Sequence, residues 1–263
     1  RDGRYQVCRG HGGMFGYAYV PITRPPGLWG AYADYMYLHP NAIVHRMRKD
    51  LPASTAALFN PLGAGFRWAV ELPDTGPGDA VLILGPGQRG LASVIAARAA
   101  GADTIIVTGL ARDAEKLALA RELGADHTID VENEDARKRV RELTGGRGAD
   151  VVVEVSANSP VPVAESLWYA ALGARVVLAG VKGFKPVPDF VSDLIVVKEL
   201  KLIGAFGVTS RSYQAAIRLI EAGRVPVERM HTHDFPLEQA EHAIRLLAGE
   251  IEGEQSIHSC LLP

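Results

Sequence analysis

Gly85-Pro-Gly87-Gln-Arg-Gly90 is the segment whose residue types and spacing could do chemistry. It directly follows the apolar run Val81-Leu-Ile-Leu84 and opens a stretch of helical length, Leu91–Ala100. In such a strand–turn–helix unit Gly85 makes the tight turn, and Gly87 lets backbone N–H groups approach a pyrophosphate. Gly90 lets the helix pack closely on the strand, leaving the anion at the positive helix terminus. The placement predicts a dinucleotide site, with Gln88 and Arg89 inside the turn among its contacts.

The end of the second strand should select the cofactor, because an Asp or Glu roughly 20 residues on usually accepts the adenosine ribose hydroxyls of NAD. Here that position reads Thr108-Gly109. Gly109 leaves room for a 2′-phosphate and Arg112 can pair with one, so within an NAD(P)(H) assignment the sequence leans toward NADP(H). Two other readings stay open: Asp113 folding back onto the ribose, and Arg112 as a solvated charge at a helix start. Val155-Ser156-Ala157 and Ala179-Gly180-Val181 end later apolar runs, where an open α/β sheet binds its ligand, and Ala205 and Phe206 end another. They are expected as walls of the nicotinamide side, with ordinary turn chemistry as the alternative.

His231-Thr-His233 puts two imidazoles on one face of an extended segment, while His11, His39 and His45 are scattered. No carboxylate or thiolate joins them at ligand spacing, so solvated histidines and no metal site are the expectation.

The glycine turn needs a frame. Ala80–Leu84, Thr104–Thr108, His127–Asp130, Val151–Val155 and Ala174–Ala179 are continuous apolar runs, as strands covered on both faces should be. Between them lie Gly90–Ala100, Asp113–Leu123, Asn133–Leu143 and Val161–Leu172, with Asp113 and Asn133 suited to capping helix N-termini and Gly101, Gly124, Gly145 and Gly173 to ending them. The alternation predicts an α/β fold with a doubly wound parallel Rossmann sheet. Lys201–Phe206 follows as a further strand, Ser210–Ala222 and Pro236–Leu247 as helices, and Ile257–Leu262 as a closing strand. Residues Arg1–Leu58, rich in Gly, Pro and Tyr, read as short strands, including Gly16–Val20 and Ala31–Leu38, and loops.

Over 263 residues the chain carries 28 basic and 30 acidic residues, a formal charge of −2, and is 48% hydrophobic. That balance offers no basic face for nucleic acid and no polybasic run for a membrane, and no stretch approaches the ~18 apolar residues of a span. Small molecules and copies of itself are the expected partners. Cys8 and Cys260 lie near opposite ends without a CxxC pair, which argues against a disulfide framework and for a reducing, cytoplasmic setting.

Several longer segments resemble the medium-chain dehydrogenase/reductase superfamily, its zinc-type alcohol and polyol dehydrogenases in particular. They are Gly3-Arg-Tyr-Gln-Val-Cys8, Gly30-Ala-Tyr-Ala-Asp-Tyr35, Ala56-Ala-Leu-Phe-Asn-Pro-Leu62, Pro77-Gly-Asp79, Leu117-Ala-Leu-Ala-Arg-Glu-Leu-Gly-Ala-Asp126, Gly148-Ala-Asp-Val-Val-Val-Glu154 and Lys198-Glu-Leu-Lys-Leu-Ile-Gly204. The resemblance implies a partial, mainly β GroES-like catalytic domain over residues 1–61, a Rossmann domain over 62–205 and a return to the catalytic domain over 206–263. It also implies that the early catalytic segment would precede Arg1. Zinc is expected for the family, but its ligands are not in this chain: Cys8 matches one of four structural thiolates, and the late catalytic ligand falls on Asn60, an amide that binds zinc poorly. Asn60 is left as a hydrogen-bond donor to a carbonyl oxygen or as a residue that merely precedes Pro61. The implied function is NAD(P)-dependent hydride transfer between nicotinamide and an alcohol or polyol, its carbonyl, or an activated double bond. Dinucleotide binding without turnover is the alternative. The family's habit of joining sheets edge to edge implies a homodimer or homotetramer through Lys201–Phe206.

Overall fold

The computed structural model describes residues 5–7 and 17–262. Contacts gather the chain into two compact units, one formed by residues up to Leu58 and from Glu228 onward, the other by Phe59–Val227.

The Phe59–Val227 unit is the α/β body. Its elements in order are α2 (Phe59–Phe66), β1 (Ala80–Leu84), α3 (Gln88–Ala99), β2 (Thr104–Gly109), α4 (Ala114–Glu122), β3 (His127–Asp130), α5 (Ala136–Leu143), β4 (Ala149–Glu154), α6 (Val161–Tyr169), β5 (Ala170–Leu178), α7 (Asp193–Val197), β6 (Lys201–Gly204) and α8 (Ser210–Ala222), while α1 (Ala53–Ala57) belongs to the other unit. The six strands lie in the order β3-β2-β1-β4-β5-β6, all parallel. Burial on both faces explains the unbroken apolar runs: every residue of β1 is buried, and Leu82, Ile106, Ile129, Val152 and Val176 pack with Val140 of α5 and Leu167 of α6. Each such fully buried aliphatic side chain contributes about 1.5–3 kcal/mol.

Helix ends show how local chemistry places the elements. Thr209 caps α8 by accepting from the Ser212 N–H while Ser212 returns the bond, and Gly223 closes the helix at φ 60°. The cap of α5 is Asp135, which accepts from the Lys138 N–H at 3.0 Å; Asn133, expected there, instead donates its side-chain amide to Asp130. Helix α6 stops at Tyr169 rather than continuing to Leu172. Lys198 Nζ reaches the carbonyls of Leu167, Trp168 and Ala170 at 2.8, 3.1 and 2.8 Å, a cation on the helix's negative end that frees the following residues to enter β5. Gly173 therefore lies within a strand, donating to the Lys198 carbonyl.

Helix α2 is packed against α3 and α8, and two glycines permit it. A Cβ on Gly63 would come 2.5 Å from the Tyr213 ring, and one on Gly65 only 2.4 Å from the Ala92 carbonyl oxygen. Helix α8, whose Ala216, Ile217 and Ile220 are buried, is thus part of this unit, and the contact boundary falls after Val227 where the sequence reading divided the chain after residue 205.

In the other unit the expected short strands are not found among the described residues. Tyr17–Tyr19 is a 3₁₀ turn and 31–38 is irregular, while Gly16 and Cys8 lie outside the described residues. The backbone bonds here are local, such as Gly27 N–H to Arg24 O and Tyr37 N–H to Leu28 O, around a buried Trp29 that contacts Tyr17, Tyr37 and His39. Strand structure in this unit is the parallel pair β7 (His233–Pro236) and β8 (Ser259–Leu262), with α9 (Ala240–Ala248) between them in sequence. Pro236 thus ends a strand, and the helix expected from it begins only after a 3₁₀ turn at Leu237–Gln239. No helix among the described residues is long and apolar enough to cross a membrane.

Gly65→Ala should lower stability by about 1–3 kcal/mol, because the backbone clash outweighs the better helix propensity of alanine. Urea unfolding checks this, and an unchanged or raised midpoint would show that α2 and α3 are not in the contact described.

Candidate functional site

The parallel register sets one level at the carboxyl edge of the sheet: Thr108, Leu84, Glu154, Leu178 and Gly204 are successive partners across β2, β1, β4, β5 and β6. The next residue of each strand therefore reaches the same edge, and these are Gly109, Gly85, Val155, Ala179 and Ala205. Main-chain bonds continue the alignment past the strand ends: Gly85 N–H to Thr108 O at 3.1 Å, Val155 N–H to Leu84 O at 3.2 Å, Gly180 N–H to Glu154 O at 3.0 Å and Ala205 N–H to Leu178 O at 2.9 Å. The residues picked out from sequence, Gly85, Thr108, Gly109, Val155, Ser156, Gly180 and Ala205, are brought together on this edge. Val181 and Phe206 follow as exposed apolar side chains.

Between β1 and β4 the strand order reverses, and there the glycine turn lies. Gly85 adopts φ 107° and carries the chain past Ser156, whose Cα would be 3.2 Å from a Cβ. A Cβ on Gly90 would sit 1.9 Å from the Gly85 carbonyl oxygen, so a hydrogen at that position is what lets α3 start against the end of β1. Gly87, the residue before α3, has no atom within 4 Å of its would-be Cβ and no side chain caps the helix. The first N–H groups of α3 have no acceptor within the helix, and together with the helix dipole they leave an open place for an anion. Gln88 is half-buried, and Arg89 lies over the Trp68 ring with its guanidinium carbon 5.1 Å from the ring centre.

At the end of β2 a Cβ on Gly109 would lie 3.1 Å from both Leu117 and Pro86. A larger residue is crowded there by packing. Arg112 is exposed in the turn Ala111–Asp113. Asp113 is committed locally: Oδ2 accepts from the Leu110 N–H at 3.1 Å and Oδ1 is 3.2 Å from Lys116 Nζ. Asn60, exposed at the start of α2, donates from Nδ2 to the Tyr213 hydroxyl at 2.9 Å, and burial raises the Tyr213 phenol above its ordinary value while this bond lowers it.

A buried ion pair, not expected from the sequence, lies on the same edge. Glu154 is 0% exposed and Lys182 8%; Nζ donates to Glu154 Oε1 at 2.8 Å and to Ser156 Oγ at 3.0 Å, as well as to the Ser156 carbonyl. Glu154 Oε1 also accepts from the Ser156 N–H at 3.0 Å, while Oε2 has no partner. Gly180 makes room for this: a Cβ there would be 2.8 Å from Nζ and 2.2 Å from the Ser156 oxygen. A hint was legible, since Glu154 ends an otherwise apolar run, but its partner lies 28 residues away.

The catalytic zinc that the family resemblance brings with it does not fit at Asn60. An amide oxygen is a weak donor to that ion beside carboxylate, thiolate or imidazole. Among the described residues the group of His, Cys, Asp or Glu able to hold a metal is elsewhere, at His231, His258 and Cys260. Cys8 lies outside the described residues, so the structural zinc has no counterpart to weigh.

Comparison with known proteins agrees with this architecture. The zinc-binding dehydrogenase family matches residues 90–222. A Mycobacterium tuberculosis protein named "Probable alcohol dehydrogenase adh" is 45% identical over all of this chain, which covers 72% of that protein. An erythritol/L-threitol dehydrogenase of Mycolicibacterium smegmatis is 36% identical, again over the whole chain and 68% of its own length. A Sinorhizobium meliloti zinc-binding dehydrogenase structure bound to NADP superposes with a TM-score of 0.72 at 29% identity, over 82% of this chain and 61% of that one. An alcohol dehydrogenase structure from Thermotoga maritima reaches a TM-score of 0.82 over 96% of this chain and 67% of its own, at 24% identity, and speaks for the fold. Sheet order, glycine turn and relatives together place the chain in the zinc-binding dehydrogenase family of the medium-chain dehydrogenase/reductase superfamily.

Proposed function

We propose that this chain binds NADP(H) along the carboxyl edge of its sheet and takes part in NAD(P)-dependent oxidoreduction of a small alcohol or polyol and its carbonyl. The observation that carries the reading is the turn at the β1/β4 reversal, where a tight Gly85–Gly90 contact holds α3 in place and the open Gly87 leaves its first amides accessible. Those amides would take the pyrophosphate, and the bound nicotinamide would supply the hydride. Support for the enzyme class comes from relatives named alcohol, erythritol/L-threitol, sorbitol and L-threonine dehydrogenases.

The lean toward NADP(H) rests on β2. Gly109 offers no carboxylate to repel a 2′-phosphate, the exposed Arg112 follows it, and Asp113 is held by Leu110 and Lys116 rather than facing a ribose. On the nicotinamide side, Lys182 and Glu154 hold the Ser156 turn, and Val155, Gly180, Val181, Ala205 and Phe206 form the wall. Asn60, its amide held by Tyr213, has a second N–H to offer a carbonyl oxygen; in this reading it is the chain's own electrophile and no step runs through a metal. Small-molecule substrates, a cytoplasmic setting and self-association complete the proposal. The edge strand β6, with Leu202 exposed, is where two sheets would join.

Nicotinamide fluorescence titration should give binding of NADPH at least about tenfold tighter than NADH. Arg112→Ala should erase the difference, and Gly87→Ala should weaken both nucleotides without lowering the unfolding midpoint. Binding without turnover of any alcohol would retain the nucleotide site and remove the hydride transfer, whereas no binding would remove both. Lys182→Met should cost about 3–5 kcal/mol in urea unfolding, since it strands a buried carboxylate, and the double change with Glu154→Gln should recover part of that loss; a neutral single variant would show that the pair is not buried as described. Sedimentation should return at least twice the 28.2 kDa chain mass, and a monomer would end the β6 proposal.

A further inference from the structure

In the unit formed by residues up to Leu58 and from Glu228 onward, the β7–β8 pair gathers metal-binding groups that are distant in sequence. The register sets Asp234 opposite Cys260, and His258 lies two residues before Cys260, immediately ahead of β8. His231 Nδ1 and His258 Nδ1 are 3.1 Å apart, and the ligand atoms of His231, His258 and Cys260 all lie within 4.8 Å of one another. The expectation that no thiolate or carboxylate joins the histidines fails because Cys260 arrives from across the ladder with His258, and Asp234 turns back to His231 within its own segment.

The site is built as well as assembled. Thr232 pins His258 by donating from N–H and from Oγ1 to its carbonyl, at 3.0 and 2.9 Å. Asp234 Oδ1 lies 3.1 Å from His231 Nε2, which puts the ring proton on Nε2 and leaves the Nδ1 lone pair facing the cluster. His258 is 7% exposed, so its ring is held within the unit rather than in solvent. Two imidazole nitrogens on one tetrahedral zinc, each about 2.0–2.1 Å from it, stand roughly 3.3 Å apart, close to the spacing here.

We propose that His231 Nδ1, His258 Nδ1 and Cys260 Sγ bind one zinc ion, with Asp234 positioning His231 and a water molecule in the fourth place. Two imidazoles and a thiolate form a donor set that suits zinc, whereas calcium and magnesium require oxygen. On binding, the His258 proton moves from Nδ1 to Nε2 and the Cys260 thiol proton leaves to solvent, one proton per ion.

Cobalt(II), added to the chelator-treated full chain and then displaced by zinc, tests the site. One cobalt per chain is expected, with a thiolate-to-cobalt absorption in the near ultraviolet and release of one proton. Cys260→Ser should abolish the band, and His258→Gln should weaken binding at least about hundredfold. Asp234→Asn, a change at a largely exposed side chain, should weaken it about 10–100-fold while keeping the band. Cys8→Ser should change nothing, and circular dichroism shows whether each variant is folded. No cobalt uptake by the wild-type chain, a band that survives Cys260→Ser, or one that disappears with Cys8→Ser would overturn the proposal.

Discussion

The contact between the backbone of Gly90 and the carbonyl of Gly85 is the constraint on which the candidate site depends. Any side chain at position 90 would occupy the carbonyl's place, so only there can α3 begin immediately after β1. That start aims the unpaired amides of α3 at the carboxyl edge, where the strand order reverses. The same economy recurs beneath it. Helix α3 is buried from Gly90 through Ala97 because α2 covers it, and α2 covers it closely because Gly65 meets Ala92 with no side chain between them. Glycine costs helix propensity in each case and repays it in approach distance.

The ion pair of Glu154 and Lys182 follows from that geometry and constrains it in return. With Gly85 passing close to Ser156, the chain after β4 must turn without a bulky side chain and with its polar groups satisfied. Glu154 Oε1 accepts from Ser156, and Lys182 reaches across from the end of β5 to neutralise it. A buried pair of this kind rarely adds net stability over an apolar replacement, so its value lies in fixing one conformation of the Ser156 turn. The orphaned Oε2 is the cost of packing a carboxylate whose donors all converge on Oε1.

What was legible in the sequence was whatever depends on neighbours along the chain. The apolar runs of β1 to β4 follow from two-sided burial, and the glycine turn follows from spacing, so both strand positions and the predicted edge residues emerge near the observed places. Boundaries set by distant groups were not legible. Lys198 decides where α6 ends from 28–31 residues away, and α8 belongs with α2 through contacts that span most of the unit. The region before Leu58 misled for a related reason: short apolar stretches between Gly and Pro suggest strands, yet a strand needs a ladder partner, and the described backbone bonds there close turns and loops of at most nine residues.

The β7–β8 pair shows the same limit at the level of chemistry. His231 and His233 adjoin in sequence but do different things: His233 stacks on Phe235 at 5.8 Å with a buried, unpartnered Nδ1, whereas His231 turns to His258 and Asp234. Counting donors along a segment cannot separate these roles, because a parallel pair draws its partners from opposite ends of a long connection. Once Asp234 is in register with Cys260, the alternation of the two strands puts these two on one face, and the bonds from Thr232 to the His258 carbonyl extend the same alignment to the residues just before the strands. A slip of one residue would scatter all of them, so the pairing that closes this sheet and the clustering of its donor atoms are one structural fact.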